Sequence, residues 1–533
     1  MRNTAKIFVL FSLLGPAVAA ALGDHNWSQG WGVEGRAMPD GTGHVAAGGT
    51  FFGSVDFGGG TFTPVNFLGG DVFLARFDNG GSHVWSRQFS PGGIGFIMDA
   101  LTTAPDGSIY LAGILQNGDI DFGGGLLSGS NVTAVAAFEP DGSHRWSFLA
   151  GGGRVRKIAA SNTTVAFVGY TYSDIDYGGG IMMTAGGADV FLAMLNPDGS
   201  HRSSAVFGDA GDQGGMSLAL DSSDGVVIAG SAQSTIDFGG GLLTAMNRDL
   251  WVAAFDSMGV HRWSWNRPGT FSPGGGILFT LDVDVDSTGE TAVGGQFLNN
   301  TDLGGGTLTS AGQGDIFLAR YDSSGAHVSS QSFGGSTTEG IQGVSFDSSG
   351  QLAVAGTFLS SSIDLGGGAL MHSGGFGSEW FLGVFDVFGA HLYSTTFPGS
   401  GQSLMMPRFQ PGGQLLLYGA GGSNNDFGGG PLATSQFYMA QLDGASTATG
   451  PGTVPNLTVD KSGTDLLLSW GADCGTGDTY GVYRGDLTMG YGSLAQDTCG
   501  IATTSTTVPM GTTALLRWVF LTGRIRVWWA WQK

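Results

Sequence analysis

Short apolar runs alternate with turns rich in Gly and Asp along most of the chain, and the alternation recurs many times. One unit reads D-L-G-G-G from Asp302, then D-I-F-L-A-R-Y-D, and later V-S-F-D-S-S-G-Q-L-A-V-A-G-T-F up to Phe358. Such runs separated by D-x-x-G turns are typical of β-hairpins, because Gly supplies the φ > 0 residue of a tight turn. Because no segment has a helical period, the pattern predicts an all-β protein.

An Asp-(aromatic or Leu)-Gly-Gly-Gly element marks each unit. Successive copies are 55 to 65 residues apart. The seven copies begin at Asp56, Asp121, Asp176, Asp237, Asp302, Asp364 and Asp426. A repeat of this length, with four candidate strands in each unit, predicts a seven-bladed β-propeller made of four-stranded antiparallel blades.

One unit illustrates the predicted blade. Its four strands are expected at residues 343–346, 351–357, 380–385 and 391–397. The turns between the first and second strands and between the third and fourth are short. The other two connections are long, so we expect a short-turn face and a long-loop face.

The two ends of the repeat region predict how the ring closes. The N-terminal sequence H-N-W-S from His25 matches the fourth-strand sequence H-V-W-S from His83. The last unit ends with a third strand at residues 437–443. We therefore expect the N-terminal strand to complete the last blade and to remove an exposed sheet edge.

The units resemble the bacterial SBBP-type seven-bladed propeller repeat over residues 25–443. The resemblance rests on the F-L-A-R-F-D run at residues 73–78, its counterpart at 317–322, the D-x-x-G turn and the fourth-strand Trp. It implies an exported or surface protein and brings no established catalytic residues. The triple-Gly element and the recurrent His depart from the family pattern.

The chain outside the repeats predicts an exported protein with a second domain. Residues 1–21 have the basic start, apolar core and small-residue cleavage site of a signal peptide, and are too short to cross a bilayer. We expect the propeller at residues 22–444, a linker at 445–454, a partial fibronectin type III-like β-domain at 455–512 and an atypical basic, Trp-rich tail at 513–533. For the tail, an abnormal gene end and a basic membrane anchor are both open.

The cysteine content and the net charge indicate which covalent cross-link and which partners to expect. Cys474 and Cys499 are the only cysteines, and in an exported protein such a pair predicts a disulfide. The net charge of −22 comes mostly from Asp, a turn-forming residue. Since nucleic acid requires a basic face, this charge argues against a nucleic-acid partner. We expect a monomer with no cofactor and no transmembrane span.

Histidine recurs at one repeat position, two residues after a D-x-x-G turn. The set is His83, His144, His201, His261, His327 and His391, with His25 as its N-terminal counterpart. Fourth strands of neighbouring blades lie far more than a zinc-ligand distance apart, so we expect a structural role rather than a metal site. We also expect a structural role for the fourth-strand tryptophans, with sugar stacking as the alternative. They are Trp27, Trp85, Trp146 and Trp263.

The acidic run from Asp282 to Asp286 hints at a calcium loop, but its Gly is misplaced for an EF-hand, so it predicts a first strand and its turn. The chain contains no G-x-S-x-G, H-E-x-x-H, C-x-x-C or P-loop motif. The sequence thus predicts a non-enzymatic exported scaffold that binds a surface glycan or protein through its long-loop face, near the seven repeated Asp residues. The alternative is a secreted glycan-cleaving enzyme.

Overall fold

The computed structural model describes residues 23–444, except 247, 270–280, 375–376, 399–403, 423 and 433–435, together with strands between 458 and 521. The chain divides into two compact units, of which one is Asp24–Asp443 and the other contains the residues from Gly444 onward. The signal peptide expected at residues 1–21 lies outside the described residues.

The described residues contain strands and turns, and no helix. The strands of the first part of the repeat unit are β1 (His25–Trp31), β2 (Glu34–Pro39), β3 (Val45–Phe51), β4 (Val55–Asp56), β5 (Thr61–Phe62), β6 (Asp71–Phe77), β7 (His83–Phe89), β8 (Gly95–Thr103), β9 (Ile109–Asp121), β10 (Leu126–Phe138), β11 (His144–Ala160), β12 (Val165–Ile175), β13 (Asp189–Leu195), β14 (His201–Phe207), β15 (Gln213–Leu220), β16 (Val226–Ala232), β17 (Thr235–Asp237) and β18 (Leu242–Thr244).

The remaining part of the compact unit Asp24–Asp443 continues the same succession of strands. They are β19 (Asp249–Phe255), β20 (His261–Arg267), β21 (Leu281–Val285), β22 (Thr291–Phe297), β23 (Asn300–Asp302), β24 (Thr307–Thr309), β25 (Asp315–Tyr321), β26 (His327–Phe333), β27 (Glu339–Phe346), β28 (Leu352–Phe358), β29 (Ser362–Asp364), β30 (Ala369–Met371), β31 (Glu379–Phe385), β32 (His391–Phe397), β33 (Leu404–Phe409), β34 (Leu415–Ala420) and β35 (Phe437–Leu442).

These strands form the blades of a β-propeller, and all pairings between them are antiparallel within the described residues. Blade 1 is β2-β3-β6-β7, blade 4 is β15-β16-β19-β20, blade 5 is β21-β22-β25-β26 and blade 6 is β27-β28-β31-β32. Blades 2 and 3 share one seven-stranded sheet because β11 is continuous. It pairs with β10 up to Gly151 and with β12 from Gly151 onward. Blade 7 is β33-β34-β35-β1.

The predicted ring closure is confirmed. Strand β1 pairs with β35 in antiparallel register, with Ser28 opposite Ala440 and Trp31 opposite Phe437. The first and last strands of the unit therefore share one blade, and the N-terminal strand covers an edge that β35 would otherwise expose. The four strands predicted between residues 343 and 397 correspond to β27, β28, β31 and β32. Strand β27 begins at Glu339, earlier than predicted.

The hydrophobic core lies between neighbouring blades. Phe73 of blade 1 and Phe437 of blade 7 belong to one buried cluster, and Phe96 of blade 2 packs with Leu74 of blade 1 in the next. Every residue of strands such as β3, β6, β16 and β22 is buried, as expected for sheets packed on both faces. The first strand of each blade lies nearest the axis of the ring, where β2, β8, β11, β15, β21, β27 and β33 follow one another.

The second unit contains two three-stranded sheets. One is β36 (Thr458–Ser462), β37 (Asp465–Ser469) and β40 (Ser505–Pro509), and the other is β39 (Ala495–Ile501), β38 (Tyr480–Arg484) and β41 (Arg517–Leu521). Strand β41 comes from the segment expected as an atypical tail. The expected disulfide lies outside the described residues, because Cys474 and the side chain of Cys499 are not among them. No helix in the described part of the chain is long and apolar enough to cross a membrane.

Candidate functional site

The seven repeated Asp residues cap tight turns. In every copy the Asp Oδ1 accepts hydrogen bonds from the N–H groups of the first and third Gly, at 2.7–2.8 Å and 3.0–3.2 Å. Both of those glycines have positive φ, which explains why Gly is required there. These hydrogen bonds lower the pKa of the carboxyl groups of Asp121 and Asp302. One carboxylate oxygen of each Asp thus serves the turn.

The residue after each Asp is a wedge between blades. Phe57, for example, stacks on Phe73 with ring centroids 4.5 Å apart and also contacts Trp31 of the preceding blade. All seven wedge residues are buried. They are Phe57, Phe122, Tyr177, Phe238, Leu303, Leu365 and Phe427. The aromatic or Leu of the repeated element is therefore inter-blade core.

The recurrent His packs on the middle Gly of the same blade. A Cβ on Gly240 would overlap the imidazole of His261, and the equivalent clash occurs in all seven blades. Six of these His form an Nε2–Ser Oγ hydrogen bond of 2.9–3.1 Å within the fourth strand. In the seventh, burial and the nearby Arg267 lower the pKa of His327. The His position is thus a contact that holds the Gly turn in place.

This contact fixes where the seven carboxylates lie. His83 directly follows the D-x-x-G turn of blade 1, and the Gly turn after Asp56 rests on it. The hairpin between the second and third strands therefore folds back along the blade, and its tip lies beside the start of the fourth strand. The sequence predicts the seven Asp residues on the long-loop face, whereas their turns lie beside the starts of the fourth strands. The positions differ because the connection between the second and third strands is a hairpin rather than an open loop.

A groove of about 500 Å³ lies at the seam between blades 7 and 1. Its walls include Trp31 of β1, the Asp56 turn and His83. One of the seven candidate ligand residues is therefore in a concave position.

The fourth-strand tryptophans join neighbouring blades. Trp27 lies on Gly81 in the turn of the next blade, and its Nε1–H donates to the carbonyl of Asn79 at 2.9 Å. Trp85, Trp146 and Trp263 make the same hydrogen bond to the next turn at 2.8–3.0 Å. This arrangement orients the indoles along the blade boundary.

The charged residues at the axis break the repeat symmetry. Asp282 of blade 5 accepts hydrogen bonds at Oδ1 from Lys157 of blade 3 (2.7 Å) and Ser217 of blade 4 (2.6 Å). Its Oδ2 accepts from Arg408 of blade 7 and from the N–H of Val344 in blade 6, both at 3.2 Å. A single carboxylate, whose side chain is 2% exposed, thus contacts four other blades.

Burial and mutual charge interactions shift the pKa values of the charged groups at the axis. Burial alone would raise the pKa of Asp282, but Lys157 and Arg408 lower it to about 2. Burial and the repulsion of Arg408 lower the pKa of Lys157 to about 8. Burial raises the pKa of Asp284 to about 6, although its carboxylate accepts a 2.7 Å hydrogen bond from the N–H of Phe346. The sequence predicts a first strand for this acidic run, but it does not predict the residues that the two carboxylates contact.

The long connections are held by buried acids at the start of third strands. Asp71 accepts hydrogen bonds from the N–H groups of Val65 and Asn66 at 3.1 and 2.8 Å, and Ser90 also donates to it. Asp315 holds the equivalent connection of blade 5 through the N–H of Ala311. With Gln88 as a further donor, four hydrogen bonds to the buried carboxylate of Asp71 make a rigid loop base.

On this long-loop face, blades 1 and 2 expose an apolar patch made of Phe52, Phe67, Leu68 and Ile94. Phe67 and Leu68 are 85% and 81% exposed, and Phe52 is 61% exposed. The connection that carries Phe67 is fastened to the next one, because Asn66 Nδ2 donates to the carbonyl of Pro91 at 2.8 Å. Apolar side chains are thus displayed on an ordered surface.

Within the described residues, no group of three or more His, Cys, Asp or Glu is arranged to hold a metal ion.

No family model matches the chain, and no curated protein matches it. Solved structures similar to it include the WD40 domain of Neurospora crassa Pan2, at 8% identity over 66% of this chain and 91% of that chain, with a TM-score of 0.33. YCF48 bound to a D1 peptide is similar at 9% identity over 79% and 96% of the chains, with a TM-score of 0.37. A gluconolactonase from Xanthomonas campestris is similar at 13% identity over 67% and 96%, with a TM-score of 0.28.

Proposed function

We propose that this protein is an exported, non-enzymatic scaffold of the SBBP type, and that its propeller binds a surface protein through the long-loop face. The apolar patch carries the proposal. Phe52, Phe67, Leu68 and Ile94 lie on connections of one face and are fastened by Asn66 and Asp71. Contiguous exposed apolar side chains on ordered loops are characteristic of protein interaction sites.

The chemistry of the patch favours a protein over a glycan. Leu and Ile side chains offer no flat face for a sugar ring, whereas aliphatic and aromatic groups together are common in protein interfaces. Arg36 of β2 and Arg156 of β11 lie on inner strands of blades 1 and 3 and would complement an acidic partner. A surface glycan is the other partner class predicted from the sequence.

The experiment compares binding to the exterior of the producing cells by the wild type, a Phe67→Ser/Leu68→Ser variant and a Leu126→Ser/Leu242→Ser control. The control removes two exposed Leu from hairpins, so it matches the change in hydrophobicity. We expect the patch variant alone to lose at least tenfold in binding, and protease treatment of the cells to abolish the wild-type signal. Binding removed by glycosidases would instead identify a glycan. Equal binding by both variants would contradict the proposed face.

One observation favours a glycan-cleaving enzyme as the second candidate. Asp284, with its pKa raised to about 6, and Asp282, with its pKa lowered to about 2, are near each other on β21, and acid–base pairs in glycosidases have pKa values pushed apart in this way. Both carboxylates already accept hydrogen bonds within the ring, which supports a structural role. Release of reducing ends from a polysaccharide, abolished by Asp284→Asn in a folded protein, would establish the enzyme instead.

A further inference from the structure

Three arginines lie together where the inner strands of blades 1, 2 and 3 meet. Arg154 of β11 forms an ion pair with Asp99 of β8, with Nη2 2.7 Å and Nε 3.0 Å from Oδ1. Arg36 of β2 and Arg156 of β11 are close enough to Asp99 to lower the pKa of its carboxyl group, which burial nevertheless holds above its ordinary value. Both are partly buried. Neither makes an ion pair or side-chain hydrogen bond with the described part of the chain.

The local charge balance is unusual for this acidic chain. One carboxylate faces three guanidinium groups. Burial lowers the pKa of Arg156, and the charges of Arg36 and Arg154 lower it further. Asp99 Oδ2 is buried and has no hydrogen-bond partner among the described residues. Because a partly buried guanidinium group is stabilised by an acceptor, an anion bound between Arg36 and Arg156 would be favourable.

The backbone explains why Arg156 lies there. The pairing of β11 with β12 is interrupted between Val155 and Lys157, so Arg156 occupies a β-bulge. The pairing of β8 with β9 is interrupted in the same way between Met98 and Ala100, which makes Asp99 the bulged residue of its strand. Bulges redirect a side chain and are frequent next to functional sites. The two bulges thus carry two of the four charged residues of this cluster, Arg156 and Asp99.

Strand β8 runs from the apolar patch to the cluster. Strand β8 begins directly after Ile94 of the patch, continues through Ile97, which is 42% exposed, and reaches Asp99 two residues later. A ligand on the patch can therefore extend along β8 to the arginines.

Resting on the proposed function, we propose that Arg36 and Arg156 bind a carboxylate of an acidic peptide segment whose apolar side chains contact the patch. Each guanidinium can donate two parallel hydrogen bonds to a carboxylate. A protein segment fits both parts of the surface, because it can present an acidic side chain or a C-terminal carboxylate next to apolar residues.

The test measures binding of a fluorescein-labelled peptide that alternates Leu and Glu, by fluorescence anisotropy, to the wild type and to Arg36→Gln, Arg156→Gln and Arg87→Gln. Arg87 lies on the outer strand β7, and within the described residues its side chain donates one hydrogen bond, of 3.4 Å, to the carbonyl of Asp141, so Arg87→Gln is a matched loss of charge. We expect at least tenfold weaker binding for the first two variants and unchanged binding for Arg87→Gln.

Thermal unfolding with phosphate separates a binding defect from misfolding. Phosphate should raise the unfolding midpoint of the wild type by linkage, and the shift should disappear in Arg156→Gln. Without phosphate, Arg156→Gln should be at least as stable as the wild type, because it removes repulsion between guanidinium groups.

Peptide binding that is equal in all four proteins overturns the proposal. Binding of trigalacturonate or phosphate without binding of the peptide also overturns it, in favour of a glycan or a free ion. If the Arg variants keep cell-surface binding and the Phe67→Ser/Leu68→Ser variant loses it, this inference fails and the proposed function stands.

Discussion

Lys157 Nζ lies 2.7 Å from Asp282 Oδ1, although the two residues are 125 positions apart in the chain. Lys157 belongs to blade 3 and Asp282 to blade 5, so the ion pair joins blades that are not neighbours in the ring. Arg408 of blade 7 approaches the other oxygen of the same carboxylate. The axis of the propeller is therefore tied by ionic contacts in addition to the apolar core between blades.

Removing the shared carboxylate should destabilise the ring. Asp282→Ala leaves Lys157 and Arg408 without their common anion, and breaking a buried ion pair costs about 3–5 kcal/mol because an uncompensated charge remains. Chemical denaturation followed by tryptophan fluorescence measures the change. Asp322→Ala, in an exposed turn, is the control and should cost much less, because water can replace the hydrogen bonds of an exposed carboxylate. A loss for Asp282→Ala no larger than the control would show that the axial contacts contribute nothing.

The pH dependence of stability should reveal Asp284. Its folded pKa of about 6 lies above the ordinary Asp value of 3.8, so the folded state holds the proton that the unfolded state releases between pH 4 and 6. The free energy of unfolding should therefore fall by up to about 3 kcal/mol as the pH rises through this window. The fall occurs because ionising the buried carboxyl group in the folded state is unfavourable. Asp284→Asn should abolish that part of the decline between pH 4 and 6. A profile unchanged by the substitution would contradict the raised pKa.

The contact of Gly240 with His261 can be measured by a double-mutant cycle. Gly240 has no positive φ, so Gly240→Ala tests only the overlap of the new methyl group with the imidazole. We expect Gly240→Ala to cost about 1–3 kcal/mol in the wild type, as overpacking does. In the His261→Ala background the cost should fall below about 0.5 kcal/mol. Equal costs in the two backgrounds would place the strain elsewhere.

Repetition made the fold predictable. Seven copies of the Gly-rich element and a spare fourth strand at His25 were sufficient to predict the propeller and its closure, because each blade is built by the same local rules. The repeated residues also account for most of the polar positions, such as the Asp caps and the His contacts.

The axial site could not be predicted in this way because its contacts cross the ring. The first strands of blades 1, 3 and 5 carry Arg36, Lys157 and Asp282 at one equivalent position. Each of these residues lies opposite the fourth residue of the second strand of its blade. A comparison of that single position between units would have shown opposite charges where the other units have Ala, Ser, Gly and Met. The meeting of Lys157 and Arg408 at the carboxylate of Asp282 depends on the radius of the ring, which no local pattern encodes. The β-bulge at Arg156 is equally invisible in the sequence.

The seven repeated Asp residues can be tested as ligand groups without disturbing their turns. Asn keeps the Oδ1 acceptor, so Asp237→Asn, Asp302→Asn and Asp364→Asn combined should leave the midpoint of thermal unfolding nearly unchanged. The same three positions changed to Ala should lower the midpoint, because each turn loses its hydrogen-bond acceptor. If these carboxylates bind the partner, the Asn triple variant loses cell-surface binding while remaining folded. Retained binding by that variant excludes them from the site.

Closure of the ring by the N-terminal strand gives the last prediction. Deletion of residues 22–32 removes β1 and with it Trp31, whose ring lies within 5.4–5.8 Å of the rings of Phe57, Phe77 and Phe437. Strand β35 then has an open edge, and the core between blades 7 and 1 is exposed to water. We expect the midpoint of thermal unfolding to fall clearly, whereas Trp31→Ala alone should cost about 3 kcal/mol. A synthetic peptide of residues 22–32 added to the deleted protein should raise the midpoint again, because it can pair with β35, and a peptide of the same composition in scrambled order should not. An unchanged midpoint after deletion would mean that β1 contributes nothing to the ring, and recovery with the scrambled peptide would mean that pairing in the observed register is not what stabilises it.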